Sequence, residues 1–266
     1  MDVSLLDKTR KINRLLQKSE NIEYEGVAKV LSDVLGANVY ITNKKGELSG
    51  HAFLDNFECD LMLDRVVGKK AFPHAYATWL LKHGETQVNL KSKSGKCAYD
   101  DSAKCMFTKK NTTIVPIYGV GERIGTLIVA KYDNTFDDDD ILLAEYGATV
   151  VGMEMLRESS KNIEENVRKK ATVQVALATL SYSEIDAATN ILLELDGKDG
   201  RLVASTIADK IKITRSVIVN ALRKLESAGL IKSQSLGMKG THIEILNEYL
   251  LDEIQKLNTH SAHSVA

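Results

Sequence analysis

Arg215, Ser216, Val219, Asn220 and Arg223 stand at positions i, i+1, i+4, i+5 and i+8. A helix of 3.6 residues per turn gathers such positions on one face. Arginine pairs bidentately with guanine and asparagine with adenine, and helices that read base edges do so from their N-terminal turns. The opposite face carries Val217, Ile218, Ala221, Leu222 and Leu225, an apolar stripe that must pack on a core. The chemistry on offer is therefore base readout by a helix held from behind.

The neighbouring residues supply what such a helix needs. A first helix over Val203–Lys210 turns Ile207 and Ala208 inward. Ile211–Lys212–Ile213 breaks it, and Thr214 stands at the N-cap of the second helix. After Gly229, the run LIKSQSLGMKGTHIEIL reads as two strands around Gly237 and Gly240, a hairpin wing with Lys239 near its tip. Between Val203 and Gly240 the basic residues 210, 212, 215, 223, 224, 232 and 239 face only Asp209 and Glu226, whereas the 266-residue chain has a net charge of −1. A locally basic surface on a near-neutral chain suits phosphate contact, because affinity for a polyanion comes largely from counterion release. The pattern is that of a winged helix-turn-helix. The candidate DNA contacts are Ala204, Ser205, Thr214, Arg215, Ser216, Asn220, Arg223, Lys224 and Lys239, with Arg215, Ser216 and Asn220 reading bases and Thr214, Arg223, Lys224 and Lys239 holding phosphates.

Composition bounds the rest. Hydrophobic residues make up 44% and charged residues 27%, ordinary for a globular chain of two domains. No run reaches the ~18 apolar residues of a membrane span, so a cytoplasmic chain is expected. The three cysteines, Cys59, Cys97 and Cys105, include no C-x-x-C pair and read as neutral thiols. Nothing resembles a nucleophile elbow, an H-E-x-x-H helix or a P-loop, so no catalytic residue, no metal and no catalytic cofactor is assigned. Asp137–Asp140 read as helix capping rather than metal ligation.

Residues 1–136 mix helix and strand. Helical periodicity covers Tyr24–Leu35, ANVYIT and the residues from Leu48 read as strands about the turn Asn43–Gly46, and short helices fit Asp60–Gly68 and Pro73–His83. Ser92–Lys110 read as irregular. TTIVPIY and ERIGTLIVAKY form a hairpin through Gly119–Val120–Gly121, and Pro116 implies an edge strand or a bulge. A long helix follows over 137–180, charged and exposed from Arg157 to Lys170, then a helix over Ser183–Leu195. The C-terminal THSAHSVA reads as frayed. The expected fold is α+β: a sensor-like antiparallel sheet with helices (1–136), a linker helix (137–180) and the winged helix-turn-helix (181–266).

Three segments, TTIVPIYGVGERIGTLIVAK, FDDDDILLAEYGATVVGMEMLRE and VASTIADKIKITRSVIVNALRKLESAGLIKSQSLGMKGT, are similar to the CodY family of Gram-positive transcription regulators. The resemblance runs nearly end to end and is weakest over Asp55–Lys110. It implies a homodimeric repressor whose GAF domain binds isoleucine, valine or leucine and whose winged helix binds an A/T-rich palindromic operator in double-stranded DNA, with GTP as a second effector. It also implies an amino-acid site on a helix-to-loop segment ending in Phe-Pro, matched by Phe72–Pro73, with Met62, Arg65, Val66 and Tyr99 as further members. The family's carboxylate-binding arginine falls on Met62, and Arg65 lies one turn later. Either Arg65 takes the role or the carboxylate is bound differently, and Arg65 is the favoured choice. For GTP the resemblance implies Lys44 and Lys45 on the phosphates and Glu154 on the base or ribose. An alternative reading is a GAF-type nucleotide-processing or signalling protein that uses its winged helix for protein contacts.

Overall fold

The computed structural model describes residues 4–17, 23–55, 57, 59–91, 97, 99, 103–105, 107, 109–132, 134–195 and 197–263. It divides into two compact units, Met1–Ser159 and Ser160–Ala266.

In the first unit a five-stranded antiparallel sheet has the order β2-β1-β5-β4-β3, from β1 (Asn38–Asn43), β2 (Leu48–Ala52), β3 (Gln87–Lys91), β4 (Lys110–Gly119) and β5 (Glu122–Tyr132). Period-two alternation sorts its side chains to two faces. Val39, Ile41, Val115, Ile117, Leu127 and Val129 pack with α1 (Leu5–Leu16), α2 (Tyr24–Leu35) and the first part of α5 (Asp138–Ala178). Close approach of α5 to α2 depends on Gly147, where a Cβ would stand 2.5 Å from Leu31 Cδ2. The other face turns Tyr40, Ile114 and Ile128 toward α3 (Asp60–Met62, continuing as a π-helical stretch over Leu63–Val67) and α4 (His74–Leu81).

Three sequence expectations are refined here. Residues 87–91, read as no element, form β3, and Asn89 locks it to the start of α5's approach by donating to and accepting from the Phe136 backbone. The strand holding Pro116 is interior, with β3 pairing on one side as far as Ile114 and β5 on the other, and the bulge falls one residue on, at Ile117/Tyr118. Asp137 and Asp140 cap α5 reciprocally, Asp137 Oδ1 accepting from the Asp140 N–H at 2.9 Å and Asp140 Oδ2 from the Asp137 N–H at 3.3 Å, while Lys131 pairs with Asp140.

In the second unit, Val173, Ala176 and Leu177 of α5 share a core with α6 (Tyr182–Leu193), α7 (Ala204–Ile211), α8 (Arg215–Ser227) and α9 (Leu250–His263). A three-stranded sheet, β6-β8-β7, completes it: β7 (Ile231–Ser235) and β8 (Thr241–Ile245) form the expected wing, and β6 (Asp199–Leu202) pairs with β8. Neither β6 nor α9 was expected, and α9 continues to His263 through most of the tail read as frayed; residues 264–266 lie outside the described ones. No helix among the described residues is long and apolar enough to cross a membrane.

Candidate nucleic-acid interface and effector pocket

The turn between α7 and α8 is made by Lys212, which caps α7 in the left-handed conformation (φ 55°) and lets Ile211 and Ile213 both pack on the core. Thr214 holds the N-cap position in extended conformation, but its hydroxyl bonds the Ser216 hydroxyl at 2.8 Å and not the backbone N–H groups of α8. The Val217 N–H donates to the Thr214 carbonyl (3.0 Å), and no side chain caps this end of the helix, where the macrodipole is positive and favours a phosphate. Behind α8, Ile218, Ala221, Leu222 and Leu225 are buried; in front, Arg215, Ser216, Val219, Asn220 and Arg223 are exposed together. Ser205 and Lys239 are exposed and Ala204 half-buried. The wing is braced to α8 by Glu226, whose carboxylate accepts from the Ser233 N–H (2.8 Å) and hydroxyl (2.9 Å).

Lys224 does something other than the expected phosphate contact. Its Nζ donates to Glu184 Oε2 (2.7 Å) and to the Thr179 carbonyl (3.0 Å). Glu184 also accepts from the Ser181 N–H (2.7 Å) in a capping box. One cation thus joins the end of α5, the start of α6 and the back of α8, and the Lys224 ammonium holds the Glu184 carboxyl below its usual range. Lys210 is likewise paired, with Glu194. The basic set without an acidic partner among the described residues is Lys212, Arg215, Arg223, Lys232 and Lys239.

The first unit contains a cavity of about 30 Å³ on the sheet face opposite α5. Six aromatic side chains line it: Tyr40, Phe57, Tyr76, Tyr99, Phe107 and Tyr132, with Phe57 stacked on Phe107 (5.1 Å between centroids) and Tyr132 (5.4 Å). All three cysteines of the chain reach it, together with Lys110 and Thr112. Burial pushes the phenols of Tyr40, Tyr76, Tyr99 and Tyr132 well up from their ordinary values, so they are neutral hydrogen-bonding groups.

Of the expected effector-site residues, Tyr99 lines this cavity. Phe72 stands behind it, 5.9 Å from the Tyr40 ring and 5.8 Å from that of Tyr99. Met62 and Val66 are fully buried in the same apolar cluster, and Pro73 is the N-cap of α4. Arg65 is exposed and does not line the cavity, because Met62 and Val66, one turn apart, take the buried face of their helix and turn Arg65 to the other. The family's capping-loop segment aligns with about Tyr99, Asp100 and Asp101, of which Asp100 and Asp101 lie outside the described residues. The sequence reading missed Tyr40, Tyr76, Tyr132 and Lys110; the alternation Val39-Tyr40-Ile41 carried the signal for the first, by setting Tyr40 opposite the two aliphatics.

The expected nucleotide residues lie on the turn between β1 and β2 and on α5. Lys44 and Lys45 are exposed in a turn closed by Asn43 Oδ1, which accepts from the N–H groups of Lys45 (2.8 Å) and Glu47 (3.1 Å). Glu154 is buried and already takes Arg157 Nη2 (2.7 Å) and Nε (3.2 Å) on one oxygen.

Family comparison now decides the class. The family described as CodY GAF-like domain matches residues 4–179, and the CodY helix-turn-helix domain matches 198–258. The chain belongs to the CodY family. It is 54% identical over 256 residues to the global transcriptional regulator CodY of Clostridium kluyveri, covering 96% of this chain and 99% of that one, and 53% identical over 256 residues to that of Clostridium perfringens, with the same coverage. Among solved structures it is similar to the cofactor-binding GAF domain of the nutrient sensor CodY from Clostridium difficile (36% identity, 58% of this chain and 99% of that one, TM-score 0.41). It is a transcriptional regulator with a GAF-like sensor domain and a CodY helix-turn-helix domain.

Proposed function

We propose that this CodY protein binds A/T-rich palindromic operators as a homodimer, mainly as a repressor, and that isoleucine, valine or leucine in the aromatic cavity, with GTP as co-effector, raises its operator affinity. The observation that carries the DNA reading is the exposed row Arg215–Ser216–Val219–Asn220–Arg223 on a helix whose other face is buried. A two-fold protein fits a palindrome, and α5 offers a surface for pairing: Ile163, Val167 and Val175, four and eight residues apart, are 61%, 62% and 68% exposed, apolar positions that a second copy would cover. For the effector, an enclosure of rings and thiols suits an aliphatic side chain, and its neutral phenols suit the polar end. At about 30 Å³ the cavity holds little more than one water. An amino acid therefore selects a conformation with parted walls, which is how binding comes to shift a population of states. A coupling of ~1–3 kcal/mol changes operator affinity ~5–150-fold. A gel shift on a palindromic operator, with and without isoleucine, tests this. Arg215→Ala abolishes the shift while calorimetry still records isoleucine binding; an unchanged shift refutes the assignment of α8 as the reading helix.

A further inference from the structure

Lys110 opens β4, and its register partner on β5 is Tyr132, so both stand at the rim of the aromatic cavity. Its Nζ lies 5.6 Å from the centroid of the Tyr99 ring. It is half-buried and has no carboxylate partner among the described residues. Its surroundings are rings, thiols and the Thr112 hydroxyl. The four phenols are neutral, and burial likewise pushes the Cys59 thiol up. A positive charge thus stands at an apolar enclosure with nothing of opposite sign beside it among the described residues. Cation–π attraction compensates it only weakly. A carboxylate ligand would do far more, because charge-assisted hydrogen bonds strengthen where water is excluded.

Resting on the reading of this cavity as an amino-acid site, we propose that Lys110 is the counter-ion of the effector's carboxylate, in place of Arg65. The ligand's side chain then lies among the aromatic rings, and its ammonium faces the phenol oxygens of Tyr40 and Tyr132. The geometry gives a selectivity as well: the site favours free α-amino acids or their 2-keto acids, which share the carboxylate, and binds amines of the same carbon skeleton more weakly.

The test is calorimetric titration of the full-length wild type, Lys110→Met, Lys110→Arg and Arg65→Ala with isoleucine and with 2-methylbutylamine, its counterpart without the carboxylate. Lys110→Met weakens isoleucine binding about 10- to 100-fold, a charged hydrogen bond's worth, without lowering the thermal melt or weakening the amine. Lys110→Arg restores most of the affinity, and Arg65→Ala binds as wild type. Isoleucine binding that survives Lys110→Met, or is lost only in Arg65→Ala, overturns the inference and leaves the effector reading intact. A Lys110→Met melt lowered in step with the loss of both ligands assigns the lysine a structural role and also overturns it. A wild type that binds no branched-chain amino acid overturns the effector reading and this inference together.

Discussion

Replacing Lys224 by alanine separates two roles that a basic residue on a reading helix can have. As a phosphate contact it would contribute to the salt dependence of operator binding, with a slope of about −0.9 per contact in log K against log salt. On a palindrome bound by two copies, the substitution removes two contacts and lowers the slope by about 1.8. Between 50 and 200 mM salt, a fourfold change, that amounts to about a 12-fold difference in affinity ratio. The structure assigns Lys224 to Glu184 and the Thr179 carbonyl, with side-chain exposures of 42% for the lysine and 10% for the glutamate. One end is half-solvated and the other buried, so the loss falls between a surface pair (~0–1 kcal/mol) and a buried one (~3–5 kcal/mol), at about 1–2 kcal/mol. For a unit of this size that lowers the melt by about 4–10 °C. Fluorescence anisotropy over a salt series and a thermal melt should therefore show Lys224→Ala with an unchanged slope and a lowered melt. Arg223→Ala, exposed on the same helix with no acidic partner among the described residues, gives the reverse. A reduced slope with an unchanged melt for Lys224→Ala refutes the reasoning.

Three further outcomes follow from the same unit. Ile218 is fully buried behind the reading face, and Ile218→Ala costs about 2–5 kcal/mol in denaturant titration. Gly240 has φ 97°, and a Cβ there would stand 2.3 Å from the Leu202 carbonyl oxygen; Gly240→Ala stores at least ~1–3 kcal/mol of strain in the wing, read as a lower melt together with weakened operator binding. The Glu184 carboxyl is held below the usual carboxylate range chiefly by Lys224. A depressed folded value means that this contribution is present above the unfolded pKa and lost as pH falls through the folded one. Glu184→Gln therefore flattens the acid limb of stability against pH, and an unaltered limb shows that the pair does not contribute.

How far the sequence revealed this architecture depended on how local each feature is. The turn at Lys212, the stripe Ile218–Leu225 and the wing around Gly237 and Gly240 are set by neighbours within one or two turns of chain, and periodicity exposed them all. Strands β3 and β6 are short, and their pairing to β4 and β8 is non-local; QVNLK and DGRL carry no alternation strong enough to announce them. The same limit governs function. That Arg215 and Asn220 face outward follows from helix geometry alone. That Lys224, a single residue beyond Arg223, turns back to Glu184 follows only from the position of α6. The aromatic cavity is the extreme case: Tyr40, Tyr76, Lys110 and Tyr132 are brought to one hollow by three different strands and a helix, spread over more than ninety positions of chain. Of the residues that the family resemblance implied, Tyr99 lines this hollow and Phe72 stands behind it. Lys110 comes to it from far along the sequence, through the register of β4 against β5, and no local pattern announces that.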